Sequence, residues 1–147
     1  MNIIIEGNKY FENKTLEALY LIELKSSEKY NIVSKYIRKI QQGENSKWVL
    51  NNLINKTFKF GEQVYSSYKE FYAQSIVHDS YHSKLYYDYI ENHGVNYVPD
   101  NIYSGEKAEW ACLEYAISFL EEIRAPQHLI NHVKSSRGTK WWESMTY

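Results

Sequence analysis

The chain has 147 residues, 44% hydrophobic and 24% charged, which supports one globular domain spanning 1–147 with a substantial core rather than a disordered segment. Lys+Arg 17 against Asp+Glu 18 leave a net charge of −1, so no basic excess draws the chain to nucleic acid or to an anionic membrane. The single Cys112 excludes an intrachain disulfide and a cysteine-rich zinc site, and no run approaches the roughly 18 apolar residues of a membrane span.

The opening Met1-Asn2-Ile3-Ile4-Ile5-Glu6 lacks the basic and long apolar regions of a secretion signal, so a cytoplasmic protein is expected. Ile3 to Ile5 predict a short strand. From Thr15, the run Leu16, Leu19, Tyr20, Ile22 and Leu24 predicts a helix. A second helix is expected from about Ser27 to Gln42, with Tyr30, Val33, Ile37 and Ile40 on one stripe and Gly43 as its stop. A third, shorter one would hold Trp48, Val49, Leu50, Leu53 and Ile54. Thr57-Phe58-Lys59-Phe60 alternates at period two, and Gln63-Val64-Tyr65 resumes after Gly61, which predicts a strand or small hairpin. Ser66 or Ser67 is expected to cap a long helix reaching Asn92, ended by His93-Gly94. A turn-rich connection follows from Asn96 to Tyr103. Ser104 then caps a helix from about Gly105 to Arg124, and Pro126 helps to end it. Gln127 to Lys134 predicts a short helix, and the aromatic Trp141-Trp142 a tail folded back on the domain. The fold class expected is α+β and mostly helical, with a small sheet. Tyrosine is abundant, at 15 residues, and its half-buried rings suit a cleft or the margin of a core.

Within the long predicted helix lies His78-Asp79-Ser80-Tyr81-His82. Residues four apart share a helical face, so both imidazoles can converge on one point. At 100° per residue, His78 and His82 fall in one arc with Phe71, Ser75, Leu85 and Tyr89, while Glu70, Lys84 and Asp88 fall opposite. Both histidines therefore point inward, with Asp79 at the flank. That arrangement suits two ligands of a catalytic zinc, with the acid beside its water.

A third ligand is needed. On the helix after the turn, Glu109 lies inside the apolar arc of Ala108, Cys112, Tyr115, Ala116, Phe119 and Leu120. Glu106 lies at the border of that arc, and Glu114 and Glu121 lie beyond it. A carboxylate aimed at a core is costly unless compensated, and a cation would compensate it. Glu109 is the first choice and Glu106 the second.

The segment Tyr72-Ala73-Gln74-Ser75-Ile76-Val77-His78-Asp79-Ser80-Tyr81-His82, with Ala108-Glu109-Trp110-Ala111-Cys112, resembles zincin metallopeptidases of the gluzincin kind. The resemblance covers roughly residues 66 to 124. It implies a compact zincin-like domain whose small sheet packs on the metal-binding helix. It also implies zinc on His78, His82 and Glu109, and Asp79 in the place of the general base. A sheet edge would hold a peptide or protein substrate, and Thr57 to Tyr65 is the candidate for it. Aspartate stands where that family has glutamate, one methylene longer. A displacement near 1 Å can cost about 100-fold in rate.

Other chemistries fit less well. The pair His128 and His132 repeats the i,i+4 spacing without an intervening acid in the catalytic place, and His132 is the first candidate to stabilise an oxyanion. A His-Asp phosphohydrolase needs a histidine upstream of His78, and there is none. Neither a Gly-x-Ser-x-Gly elbow nor a phosphate loop is present. The expected activity is therefore zinc-dependent hydrolysis, most simply of a peptide bond. The alternatives are a non-catalytic zincin-like protein using structural zinc to present a protein-binding surface, and a metal-free helical interaction module.

Overall fold

The computed structural model describes residues 2–43 and 51–144. Its elements in chain order are β1 (Ile4–Glu6), α1 (Lys9–Lys25), α2 (Ser27–Tyr36), β2 (Lys39–Gln42), β3 (Asn51–Asn52), β4 (Thr57–Phe60), α3 (Glu62–Tyr65), α4 (Lys69–His93), α5 (Asp100–Tyr103), α6 (Gly105–Glu122) and α7 (Gln127–Lys134), with a closing 3-10 turn at Trp141–Ser144. The architecture is α+β and mostly helical, as expected. No helix among the described residues is long and apolar enough to cross a membrane.

The sheet has the order β1-β2-β4-β3. Ile5 pairs with Ile40 and Ile40 with Phe58, both in parallel, and Asn51 pairs antiparallel with Phe58. Strand β4 is therefore interior, flanked by β2 and β3. The expectation that Thr57 to Tyr65 forms a free edge for substrate is thus overturned. Its second half is also not strand but the short helix α3, which starts after the extended Gly61.

Helix α1 begins earlier than the apolar run suggested, because the Asn8 side chain caps it by accepting from Phe11 N at 2.9 Å. The Asn8 backbone N–H in turn donates to Gln42 Oε1 at 2.8 Å, tying the helix start to β2. Gly7 permits this approach: a Cβ there would meet Phe11 at 2.5 Å and Gln42 at 2.8 Å.

Helix α2 stops at Tyr36, six residues short of the predicted end. Ile37 turns extended at φ −120° and ψ 122°, and the Arg38 and Lys39 N–H groups both donate to Lys56 O. The apolar stripe was real but split between two elements: Val33 closes the helix face, and Ile40 enters the core from β2. Of the expected third helix, Trp48, Val49 and Leu50 lie outside the described residues. Leu53 is buried and Ile54 exposed, and both lie in a turn.

Helix α4 is the axis of the domain. It packs against α1 and α2 on one side and α6 on the other. Its middle turns are consequently buried all round, from Tyr72 to Ser83 with short interruptions. Tyr72 spans to α1 through a 2.8 Å bond between its hydroxyl and Thr15 Oγ1, and its ring packs edge-on to Phe60 of β4 at 5.3 Å. The sheet thus rests on the helix that carries the histidines. Tyr68, rather than Ser66 or Ser67, occupies the N-cap position, without a side-chain cap; the serine hydroxyls donate to Glu62 O and Val64 O instead. The C-terminus matches expectation, with Gly94 left-handed at φ 61°.

Helix α6 crosses beside α4. Ser104 takes its N-cap position, but its hydroxyl donates back to Asp100 O, the start of α5. The connection expected to be only turns therefore contains a helical turn. At the far end Arg124 is left-handed at φ 55°, ahead of Pro126. Glu122 accepts from Ser26 Oγ at 2.7 Å and Lys29 Nζ at 2.9 Å, joining α6 to the α1–α2 corner.

Candidate metal centre

One helical turn separates His78 from His82, and both rings are buried where α4 meets α6. Their Nε2 atoms stand 3.2 Å apart. From α6, Glu109 is fully buried and completes the set: its Oε1 lies 3.2 Å from His82 Nε2 and its Oε2 lies 3.4 Å from His78 Nε2. Glu106, the second candidate, is exposed.

These spacings are informative. In a regular tetrahedron with ligand bonds of about 2.0–2.1 Å, neighbouring donor atoms stand about 3.3–3.4 Å apart. The two imidazole nitrogens, and each of them with its nearer Glu109 oxygen (Oε2 for His78, Oε1 for His82), stand close to that edge length. Neither Glu109 oxygen meets the geometry of a regular hydrogen bond among the described residues, and the two imidazoles are what offsets its burial. Buried carboxylates are ordinarily partnered, and an uncompensated one is costly. A cation held between the two imidazole nitrogens and this carboxylate would be shared by both elements.

The tautomer of His82 agrees. Its Nδ1 lies 2.6 Å from Tyr103 O, and a carbonyl only accepts, so Nδ1 carries the proton. Nε2 is therefore the nitrogen turned to Glu109: it holds a lone pair in the neutral ring that a metal requires, and a proton in the metal-free cluster. Such a backbone carbonyl behind a ligating imidazole is the usual outer support of a zinc histidine. Helix α5 delivers it, with Tyr103 itself held by its hydroxyl donating to Asp100 at 2.9 Å and by its ring against Tyr86.

Electrostatics in the metal-free cluster follow from the same packing. Burial would raise the Glu109 carboxyl, but the two adjacent imidazoles outweigh it and hold its pKa down to about 2. Burial lowers His78, only partly opposed by Glu109. For His82 burial is outweighed by Cys112 and Glu109, and its pKa rises well above the ordinary value.

Cys112 is a residue the sequence reading did not place here. Its sulfur and one nitrogen from each of His78 and His82 all lie within 4.8 Å of one another. Burial raises its thiol pKa, with His82 opposing. The available signal was Glu109-x-x-Cys112, an i,i+3 pair that puts both side chains on one face of α6.

Asp79 is buried and, with His78, lines a cleft of about 230 Å³. His132 of α7 lines the same cleft, with its ring 5.9 Å from Phe71, whereas His128 is exposed against Tyr68. Trp141 folds back as expected and meets His78 edge-on at 5.3 Å. The structure therefore brings together His78, His82, Glu109 and Cys112, and sets Asp79 and His132 on the cleft beside them. No protein-family model, curated protein or solved structure matches this chain.

Proposed function

We propose that the protein is a zinc-dependent hydrolase of metallopeptidase-like character, with His78, His82 and Glu109 as ligands and Asp79 as base. The observation that supports this reading is a fully buried carboxylate with each oxygen 3.2–3.4 Å from an imidazole nitrogen, the two nitrogens themselves 3.2 Å apart. Zinc held there supplies a Lewis acid that brings the pKa of water to about 7. The chain's own groups do the rest. Tyr103 O keeps the His82 ring in register, Asp79 takes the proton of the attacking water, and His132 offers a ring nitrogen to charge developing on the substrate. The substrate class is a peptide or protein, and the location the cytoplasm.

The test is a peptide-library digestion read by mass spectrometry, with zinc content measured on every sample. Asp79→Ala should retain zinc and lose about 10²–10⁴ in rate. Asp79→Glu, which restores the longer side chain, should keep activity. Should both variants equal the parent, Asp79 is not the base.

Cys112 supports a second reading. If its thiolate takes the fourth position, the site is closed, and a closed four-coordinate site is structural. The protein would then use zinc for stability and its aromatic surface for a protein partner. Cobalt substitution separates the two. A thiolate charge-transfer band that vanishes in Cys112→Ser marks the closed site. A spectrum that changes on adding acetohydroxamate marks an open position.

A further inference from the structure

We propose that Trp141 is a hydrogen-bond donor to the ligand of this cleft, its indole N–H donating to the carbonyl oxygen of a peptide-like amide that carries one bulky apolar side chain. The proposal rests on the hydrolase reading for the fate of that amide, but not for its binding. The motivating fact is that Trp141 Nε1 is buried and has no hydrogen-bond partner among the described residues. Buried indole N–H groups ordinarily find one, because a donor removed from water and left unmade is costly. Trp141 is one of the residues lining the cleft, with its ring edge-on to His78.

The position of Trp141 is built rather than incidental. Arg137 donates two bonds to Glu114, from Nε at 2.8 Å and Nη2 at 2.7 Å, which fastens the segment after α7 to α6. Gly138, left-handed at φ 76°, then turns the chain, and Thr139 Oγ1 donates to Ser136 O at 2.7 Å. The tail is thereby directed back over the cleft.

The cleft also specifies its occupant. Among its described lining residues there is no lysine or arginine, while Asp79 is present, so an anionic group is disfavoured and a neutral acceptor fits. Phe60, Val64, Phe71, Leu113 and Val133 form its apolar part. An apolar cavity of about 150 Å³ accepts benzene. At about 230 Å³, this one accommodates an aromatic side chain with an adjoining amide.

The experiment compares N-acetyl-L-phenylalaninamide with toluene, which has the apolar group but no acceptor. Binding to the protein as purified is followed through the indole N–H resonances, with that of Trp141 identified by its loss in Trp141→Phe. The amide should shift this resonance downfield and saturably. Trp141→Phe should weaken the amide about fivefold, the worth of one neutral hydrogen bond, and leave toluene unchanged. The proposal is overturned if the resonance does not move up to the solubility limit, or if the variant affects both probes alike. Peptide hydrolysis measured in parallel separates the readings. Turnover with an unmoved indole sinks this inference alone, and a shifted indole without turnover or metal sinks the hydrolase.

Discussion

Glu109→Gln is the most searching perturbation, because it keeps the shape of the side chain and removes the charge. Glu109 is fully buried, with both oxygens 3.2–3.4 Å from imidazole nitrogens. Loss of an outer-shell partner already costs about 10–100-fold in metal affinity, so loss of one of three ligands should cost at least about 100-fold. At zinc fixed at 1,000 times the parent Kd, binding stabilises the parent by about 4.1 kcal/mol; a 100-fold weaker variant gains only about 1.4 kcal/mol. The difference of about 2.7 kcal/mol corresponds to roughly 5–11 °C for a domain of this size. The quantity to measure is the rise in Tm on adding zinc, compared within each protein so that the metal-free baselines cancel. Competition with a chromogenic chelator should give the same affinity ratio. An equal zinc-induced rise in both proteins would refute the assignment of Glu109 as a ligand.

Two further outcomes follow from the structure. In metal-free protein the Glu109 carboxyl is held at about 2, below its ordinary 4.5, so its contribution is full above about 4.5 and disappears as pH falls toward 2. Urea unfolding across that window should show a loss that Glu109→Gln abolishes, whereas zinc retention should fail at higher pH, because zinc competes with the proton that His82, raised well above its ordinary value, takes up beside Glu109. Gly94→Ala should lower stability by about 1 kcal/mol through backbone strain alone, since φ is 61° and a methyl group would meet nothing within 4 Å; an unchanged denaturation midpoint would contradict this.

Local chemistry determined a good deal from the sequence. The i,i+4 spacing and inward phase of His78 and His82 follow from helical periodicity, which any chain length of α4 obeys. The inward Glu109 was legible for the same reason, since a glutamate among Ala108, Cys112 and Ala116 can only face what those residues face. The alternation at Thr57 to Phe60 marked a strand, and Gly94 marked a helix end.

Tertiary structure alone decided the rest. Nothing local separates Ile37 and Ile40 from the stripe of α2; the helix ends because Lys56 O accepts from Arg38 and Lys39, a partner available only once the chain has folded. Strand β4 became interior through the pairing of Asn51 and Asn52, a two-residue element with no periodic signal. The Tyr103 carbonyl that orients His82 belongs to the backbone, which every residue shares, so no side-chain pattern announces it. Cys112 and Trp141 reach the site by the crossing of α6 over α4 and the return of the tail. Periodicity tells which face a residue occupies, but only the packing of one element on another tells what that face meets.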